Sequence, residues 1–195
     1  MSLDISKRPH PNHRFGRPPQ NEGAEYGARI SPSKLAKGRK VAILVAAGVA
    51  IDEVAAMQSA LKAEHVLSKI VGPHVGEIEG DGGVTEAMKT FANSSSVLFD
   101  AVYVPGGEES IEMLKEIPDA LRFIDEAYKH GKAIAASGEG VELVKETKTG
   151  ELVTEEDAAE QGVLFAEDAE SLAADFIQAI ASHRFHNRQV DKIMA

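Results

Sequence analysis

The sequence predicts an α/β fold, a three-layer domain with a mostly parallel sheet, preceded by an extended N-terminal arm. Three observations predict it. Continuous apolar runs at Val41–Ala46, Ala101–Val104 and Ala133–Ala136 suit parallel strands buried on both faces. Segments with helical apolar spacing separate those runs. The connections are short, as crossovers in such a sheet require.

The arm comes first. Five of the eight prolines lie at positions 9, 11, 18, 19 and 32, and no apolar periodicity runs through residues 1–38. A segment of that composition buries too little surface to offset its ordering entropy alone. It is therefore expected to be a linker that lacks regular structure. The domain starts at Gly38–Arg39–Lys40, and Val41–Ala46 is its first strand. Asp52 is placed to cap a helix whose apolar positions are Val54, Met57 and Leu61. Val66–Val71 is a second strand, closed by Gly72–Pro73. Gly76 to Gly83 reads as a short strand and turn on an edge, Glu86–Phe91 as weakly helical, and Ser94–Ser96 as the start of a turn.

Ala101–Val104 ends abruptly in Pro105–Gly106–Gly107, and a helix follows from about Ser110. Pro118 opens another helix reaching His130, with Leu121, Ile124 and Tyr128 on one face. Ala133–Ala136 leads through Ser137–Gly138–Glu139–Gly140 into Val141–Val144, and Thr147–Gly150 looks like a hairpin turn. Val163–Ala166 is the last strand, and Leu172, Phe176 and Ile180 mark a C-terminal helix. The arrangement is flavodoxin-like over about residues 39–185. Ligands in such folds bind at the carboxyl edge of the sheet, where the strand ends near Gly48, Pro105 and Ser137 gather.

Composition excludes several functions. The 195 residues (20.8 kDa) are 43% hydrophobic and 27% charged, and the longest apolar run, Val41–Ala47, is far shorter than a bilayer span. The N-terminus has no apolar core of a signal peptide. There is no cysteine, hence no disulfide, thiolate metal site or thiol nucleophile. The net charge of −10 is divided: residues 1–40 hold nine Lys/Arg against three Asp/Glu, the remainder twelve against twenty-eight. An acidic body of that kind repels polyanions, so neither nucleic acid nor membrane is an expected partner.

Ser137 lies between a strand and a helix, where a nucleophile elbow would sit, but the glycine two residues earlier is missing. None of the seven histidines follows a late strand as the base of a triad would. Ser137 then reads as a small residue in a tight turn, and Ser137→Ala is expected to leave folding nearly unchanged. Gly106 and Gly107 either present backbone N–H groups to an oxyanion or form a sharp turn into a helix. Glu53 is either a carboxylate in the same cleft or a first-turn helix acid. Gly138-x-Gly140 lacks the third glycine of a dinucleotide fingerprint. His183 and His186 are three apart with no carboxylate partner at convincing spacing, which favours surface histidines over a metal pair, and His10 with His13 is weaker still.

These landmarks resemble the class I glutamine amidotransferase-like superfamily, which includes intracellular peptidases and deglycases. The resemblance places Glu53 on its carboxylate, Gly106 and Gly107 on its oxyanion turn, and Ser137 where it has a cysteine. Two departures follow: serine replaces the thiol, and Lys145–Glu146–Thr147–Lys148 offers no histidine. A more specific resemblance is carried by residues 38–45, by Ser96–Gly107, by Glu126–His130 and by Ser137–Val141. It is to the C-terminal domain of large-subunit haem catalases, with residues 1–38 as the arm from the haem domain and 39–195 as the amidotransferase-like domain. Arg8–Pro9–His10–Pro11–Asn12–His13 carries the likeness of the arm.

That resemblance implies a non-catalytic accessory domain whose pocket of Glu53, Gly106, Gly107, Ser137 and Glu139 is vestigial. It implies no cofactor in this chain and haem in the parent, because none of Tyr26, Tyr103 and Tyr128 stands in a haem-ligand context. Expected partners are the haem domain of the same polypeptide, the other subunits of a homotetramer, and unfolded client proteins. A cytoplasmic location is favoured without excluding secretion of the parent. The alternatives are a stand-alone hydrolase or deglycase using Ser137 with Glu53, and a module that binds small ligands or clients at the carboxyl edge.

Overall fold

A computed structural model describes residues 36–154, 156–188 and 190–193. The expectation for the arm, as far as residue 35, lies outside the described residues. Ala36 is fully buried, and Gly38 N–H donates to His65 O at 2.9 Å, so the chain from residue 36 onward packs with the domain.

The elements in order are β1 (Lys40–Leu44), β2 (Val49–Ala50), α1 (Ile51–Ala63), β3 (Leu67–Gly72), β4 (Gly76–Asp81), β5 (Gly83–Ala87) and β6 (Lys89–Thr90). Then come β7 (Ala101–Val104), α2 (Glu108–Lys115), α3 (Pro118–Lys129), β8 (Ala133–Ser137), α4 (Gly140–Glu146), α5 (Lys148–Leu152), β9 (Val163–Ala166) and α6 (Ala169–Ser182). Short 3-10 turns lie at Phe91–Asn93, Ser96–Leu98 and Val190–Lys192.

Six strands form one sheet in the order β6-β3-β1-β7-β8-β9, every pair parallel. Alternate residues of β1 and its extension serve opposite cores. Val41, Ile43 and Val45 meet Met57 and Leu61 of α1 and Phe176 and Ile180 of α6. Ala42 and Leu44 meet Leu114 of α2, Phe123 and Ile124 of α3 and Leu143 of α4. Coverage on both faces is why the strand is apolar throughout rather than alternating. The strand order reverses between β1 and β7, so their carboxyl ends open a crevice at the switch point. A second sheet, β2-β4-β5, stands beside that crevice, with β4 and β5 antiparallel around Gly82 (φ +85°).

Three local expectations are corrected. Glu86–Phe91 is not helical: Gly83–Ala87 pairs with β4 and Lys89–Thr90 joins the edge of β3. Backbone pairing there overrides a weak helical period. Thr147–Gly150 is not a hairpin turn but the start of α5, where the Thr147 hydroxyl accepts from Gly150 N–H at 3.4 Å. Gly150 is needed because a Cβ there would lie 2.4 Å from Lys145 Cα. Asp52 is not the cap of α1. Ala50 holds that position, and Asp52 accepts from Glu53 N–H at 2.9 Å in the first turn.

Candidate functional site

Three turns at the carboxyl edge bring the expected residues together. After β1, Gly48 (φ +82°) turns the chain through β2 into α1, so Glu53 projects from its first turn. After β7, Pro105–Gly106–Gly107 feeds α2. Gly107 (φ +117°) must be glycine because a Cβ would lie 2.4 Å from Gly48 O. After β8, Gly138 (φ +50°) turns the chain into α4, with Ser137 and Glu139 on either side.

The hydrogen bonds converge on Glu53. Its Oε2 accepts from the Ser137 hydroxyl at 2.6 Å and from Gly106 N–H at 2.7 Å. Ser137 has one proton and gives it to Glu53, so the 2.6 Å bond between Ser137 Oγ and the Tyr103 hydroxyl is donated by Tyr103. The second backbone donor is taken as well: Gly107 N–H donates to Glu139 Oε2 at 2.9 Å. That bond holds the Glu139 carboxyl below its ordinary range. A Cβ on Gly106 would sit 2.8 Å from Glu139 Oε2 and 3.3 Å from Glu53 Oε2, so both carboxylates crowd one glycine. Ser137 and Tyr103 are fully buried. Burial pushes the Tyr103 phenol well above the usual tyrosine value, and Glu53 adds to the rise.

All five site residues expected from sequence, Glu53, Gly106, Gly107, Ser137 and Glu139, thus lie in one constellation. Neither hydrogen bond of Ser137 goes to a histidine. Both N–H groups of the Gly106–Gly107 turn, which an oxyanion would need, are bonded to the chain's own carboxylates. Tyr103 was not among the expected site residues. Tyr103 pairs in register with Ala135, and Ser137 lies two residues further along the same face of β8.

Among the described residues, the side-chain hydrogen bonds of Glu53, Ser137 and Glu139 involve no histidine. His183 follows α6, and its Nδ1 meets the Arg39 and Arg184 guanidinium groups at 2.5 and 3.2 Å. Among the described residues, no group of three or more His, Asp or Glu is placed to hold a metal ion. Nor do the described tyrosines fit a haem. Tyr103 OH is bound in the Ser137 network, and Tyr128, fully buried, donates its hydroxyl to Gln161 Oε1.

Comparison with known proteins gives this geometry a context. Residues 37–190 match the model of the C-terminal domain found in long catalases. The chain is 37% identical over 161 residues to Catalase-2 of Bacillus subtilis, covering 80% of this chain and 22% of that protein. It is 31% identical over 204 residues to Catalase-1 of Neurospora crassa, covering 93% of this chain and 27% of that protein. The chain therefore spans about a quarter of the length of these relatives. The oxidised DJ-1 of Toxoplasma gondii superposes with a TM-score of 0.59 at 17% identity, over 74% of this chain and 97% of that one, a likeness of fold. On a parallel sheet of the DJ-1/ThiJ/PfpI kind, the chain belongs to the family of C-terminal domains found in long catalases.

Proposed function

We propose that the chain is the non-catalytic C-terminal domain of a long haem catalase. Peroxide disproportionation is then the work of a separate haem domain, and residues 1–38 are the stretch joining that domain to residues 39–195. The observation carrying the non-catalytic part is the double occupation of the Gly106–Gly107 turn. Glu53 takes one N–H and the Ser137 proton, and Glu139 takes the other N–H. A substrate carbonyl meets no open donor pair there, and a serine without an imidazole stays a weak nucleophile.

The domain's contribution is architectural: it steadies a homotetramer of the parent, with chaperone-like protection of unfolded clients as an added role. The Ser137–Glu53 bond at 2.6 Å is the one feature favouring a hydrolase. It is outweighed because the same Glu53 oxygen blocks the Gly106 donor.

The test uses the native protein and the isolated chain together. The native polypeptide is expected to be several times heavier than 20.8 kDa and to show a haem Soret band. Isolated chain mixed with haemin is expected to evolve oxygen no faster than free haemin. Deleting the domain from the parent lowers the urea concentration at which the tetramer dissociates, and equimolar chain suppresses aggregation of an unfolding client. A native 20.8 kDa protein without haem would overturn the parentage.

A further inference from the structure

The parallel strands share an amino edge, opposite the Glu53–Ser137 network, and the charges there run against those of the domain as a whole. Residues 41–195 hold twelve Lys/Arg against twenty-eight Asp/Glu. At this edge, however, Arg39 and Lys40 lead into β1, Lys132 stands before β8 and Arg184 follows α6, with Asp100 before β7 among them. Phe185 N–H donates to Gly131 O at 2.8 Å, which seats the end of α6 beside Lys132.

Two guanidinium groups meet on one atom there. His183 Nδ1 lies 2.5 Å from Arg39 Nη1 and 3.2 Å from Arg184 Nη1. A neutral imidazole nitrogen offers one lone pair, so two donors compete for a single acceptor. Arg184 Nη1 also donates to His183 O at 2.8 Å, while its Nε and Nη2 meet no acceptor among the described residues. Nor does any carboxylate among the described residues lie within ion-pair distance of Arg184, and Asp100 Oδ1 stands 3.7 Å from Arg39. One cation after α6 answers the helix dipole. A second guanidinium on the same nitrogen does not, because the two like charges repel. The repulsion reaches the neighbours. Burial first, then Arg184, lowers the Lys132 amine to about 8. Burial, then Arg39 and Arg184, lowers the His183 imidazole, and Asp100 opposes both shifts.

We infer that Arg39 and Arg184 form a binding site for a small tetrahedral oxyanion of the phosphate class. Such an anion brings the several lone pairs that one imidazole nitrogen lacks, and guanidinium forks match the spacing of its oxygens. The charged groups facing the His183 ring are Arg39, Arg184 and Asp100. With an anion between the guanidinium groups, the ring gains a proton and becomes a third donor, so binding tightens as pH falls through the imidazole range. The acidic remainder of the domain admits a small anion and repels a polyanion. The site stands at the opposite edge of the sheet from Ser137, so it holds whether or not the parentage above does. The anion experiment and the native-mass experiment fail independently.

The test titrates the full, ¹⁵N-labelled 195-residue chain with sodium sulfate, which stays fully ionised across the range, against sodium chloride at matched ionic strength. Inorganic phosphate is the second probe, at neutral pH. Saturable shifts are expected at the His183 ring and the Arg39 and Arg184 Nε–H groups, with half-saturation at about 1 mM. Sulfate should bind about tenfold tighter near pH 5 than near pH 8. Arg184→Gln should weaken binding about tenfold while the circular dichroism is kept. Asp100→Asn, whose amide oxygen still accepts from Lys40 N–H, should tighten it several-fold by removing the competing charge. Equal shifts in chloride, no saturation, unchanged binding in Arg184→Gln, or weaker binding in Asp100→Asn would each overturn the proposal. So would tighter binding of a short single-stranded DNA, which would reassign the edge to a polyanion.

Discussion

Ser137 gives its only hydroxyl proton to Glu53 Oε2, 2.6 Å away, and Gly106 N–H lands on the same oxygen at 2.7 Å. That shared acceptor ties β8, α1 and the turn after β7 to one atom. Ser137→Ala is therefore expected to cost stability, where the sequence alone predicts nearly unchanged folding. It strips Glu53 of one donor and Tyr103 of its closest acceptor in a fully buried setting. The expected loss is about 1–3 kcal/mol of unfolding free energy, read from urea midpoints, and Ser137→Thr should not restore it if the pocket is as tight as Gly106 indicates. A midpoint unchanged by Ser137→Ala would show that the network contributes nothing.

Tyr103 makes that network sensitive to alkali. Burial first, then the neighbouring Glu53, raises its phenol above the ordinary value of 10. Above pH 10 the unfolded chain loses a proton that the folded chain keeps, so stability falls as pH rises through that range. Wild type should lose stability between pH 10 and pH 11 more steeply than Tyr103→Phe, whose phenol is gone. Parallel slopes for the two proteins would refute the assignment.

Why the sequence yields some of this and not the rest is visible in particular residues. The runs at Val41, Ala101 and Ala133 are legible because helices cover both faces of those strands, leaving no polar alternation to confuse them. Lys89 and Thr90 are not legible as a strand, because only the distant edge at Val71 and Gly72 makes them one. The signals of α5 mislead for a different reason: a capping threonine and a glycine also mark turns. In the site, Glu53, Gly106 and Ser137 stand out by their places at strand ends. Tyr103 does not, because in an apolar run it reads as a core aromatic until the register of β7 and β8 places its hydroxyl on Ser137.

Lys132 carries the opposite pH signature. It is buried at the amino end of β8, and its ammonium donates to Ser96 O at 2.5 Å. Desolvation, with Arg184 adding repulsion, lowers its amine from 10.5 to about 8. Between those values the unfolded chain holds a proton that the folded chain has released, so stability rises with pH across that window. Unfolding midpoints of wild type should climb from pH 8 to pH 10, and those of Lys132→Met should stay level. A Lys132 side-chain amine that titrates by NMR at the ordinary lysine value would refute this reading.

Arg188 pins the segment after α6 by geometry that no other side chain reproduces. Its guanidinium donates to Gln161 O, Tyr128 O and Lys132 O, each at 2.7 Å, and lies 4.4 Å from the Tyr128 ring centroid. Three buried carbonyls each lose a hydrogen bond in Arg188→Ala, Tyr128 O keeping Gly131 N–H, an expected cost on the order of 3–5 kcal/mol. Arg188→Lys should recover less than half, since one ammonium cannot span a three-way fork. Chemical denaturation of both variants decides the point, and full rescue by lysine would show that charge alone matters.

Ser137 should be inert toward fluorophosphonate probes for reasons that can be separated by mutation. A serine attacks when a base removes its proton as the bond forms and paired N–H groups receive the oxyanion. Here Glu53 holds the serine proton and one N–H together, and Glu139 holds the other N–H. Glu139→Ala opens the Gly107 donor without touching Ser137, yet one free N–H and no imidazole should still give no adduct by intact-mass measurement. Glu53→Gln should also give none, because the amide cannot take the proton. Labelling of wild type at Ser137 that Glu53→Gln abolishes would mean that the carboxylate is a working base. The occupied turn would then be a resting state of a hydrolase rather than the remnant of one.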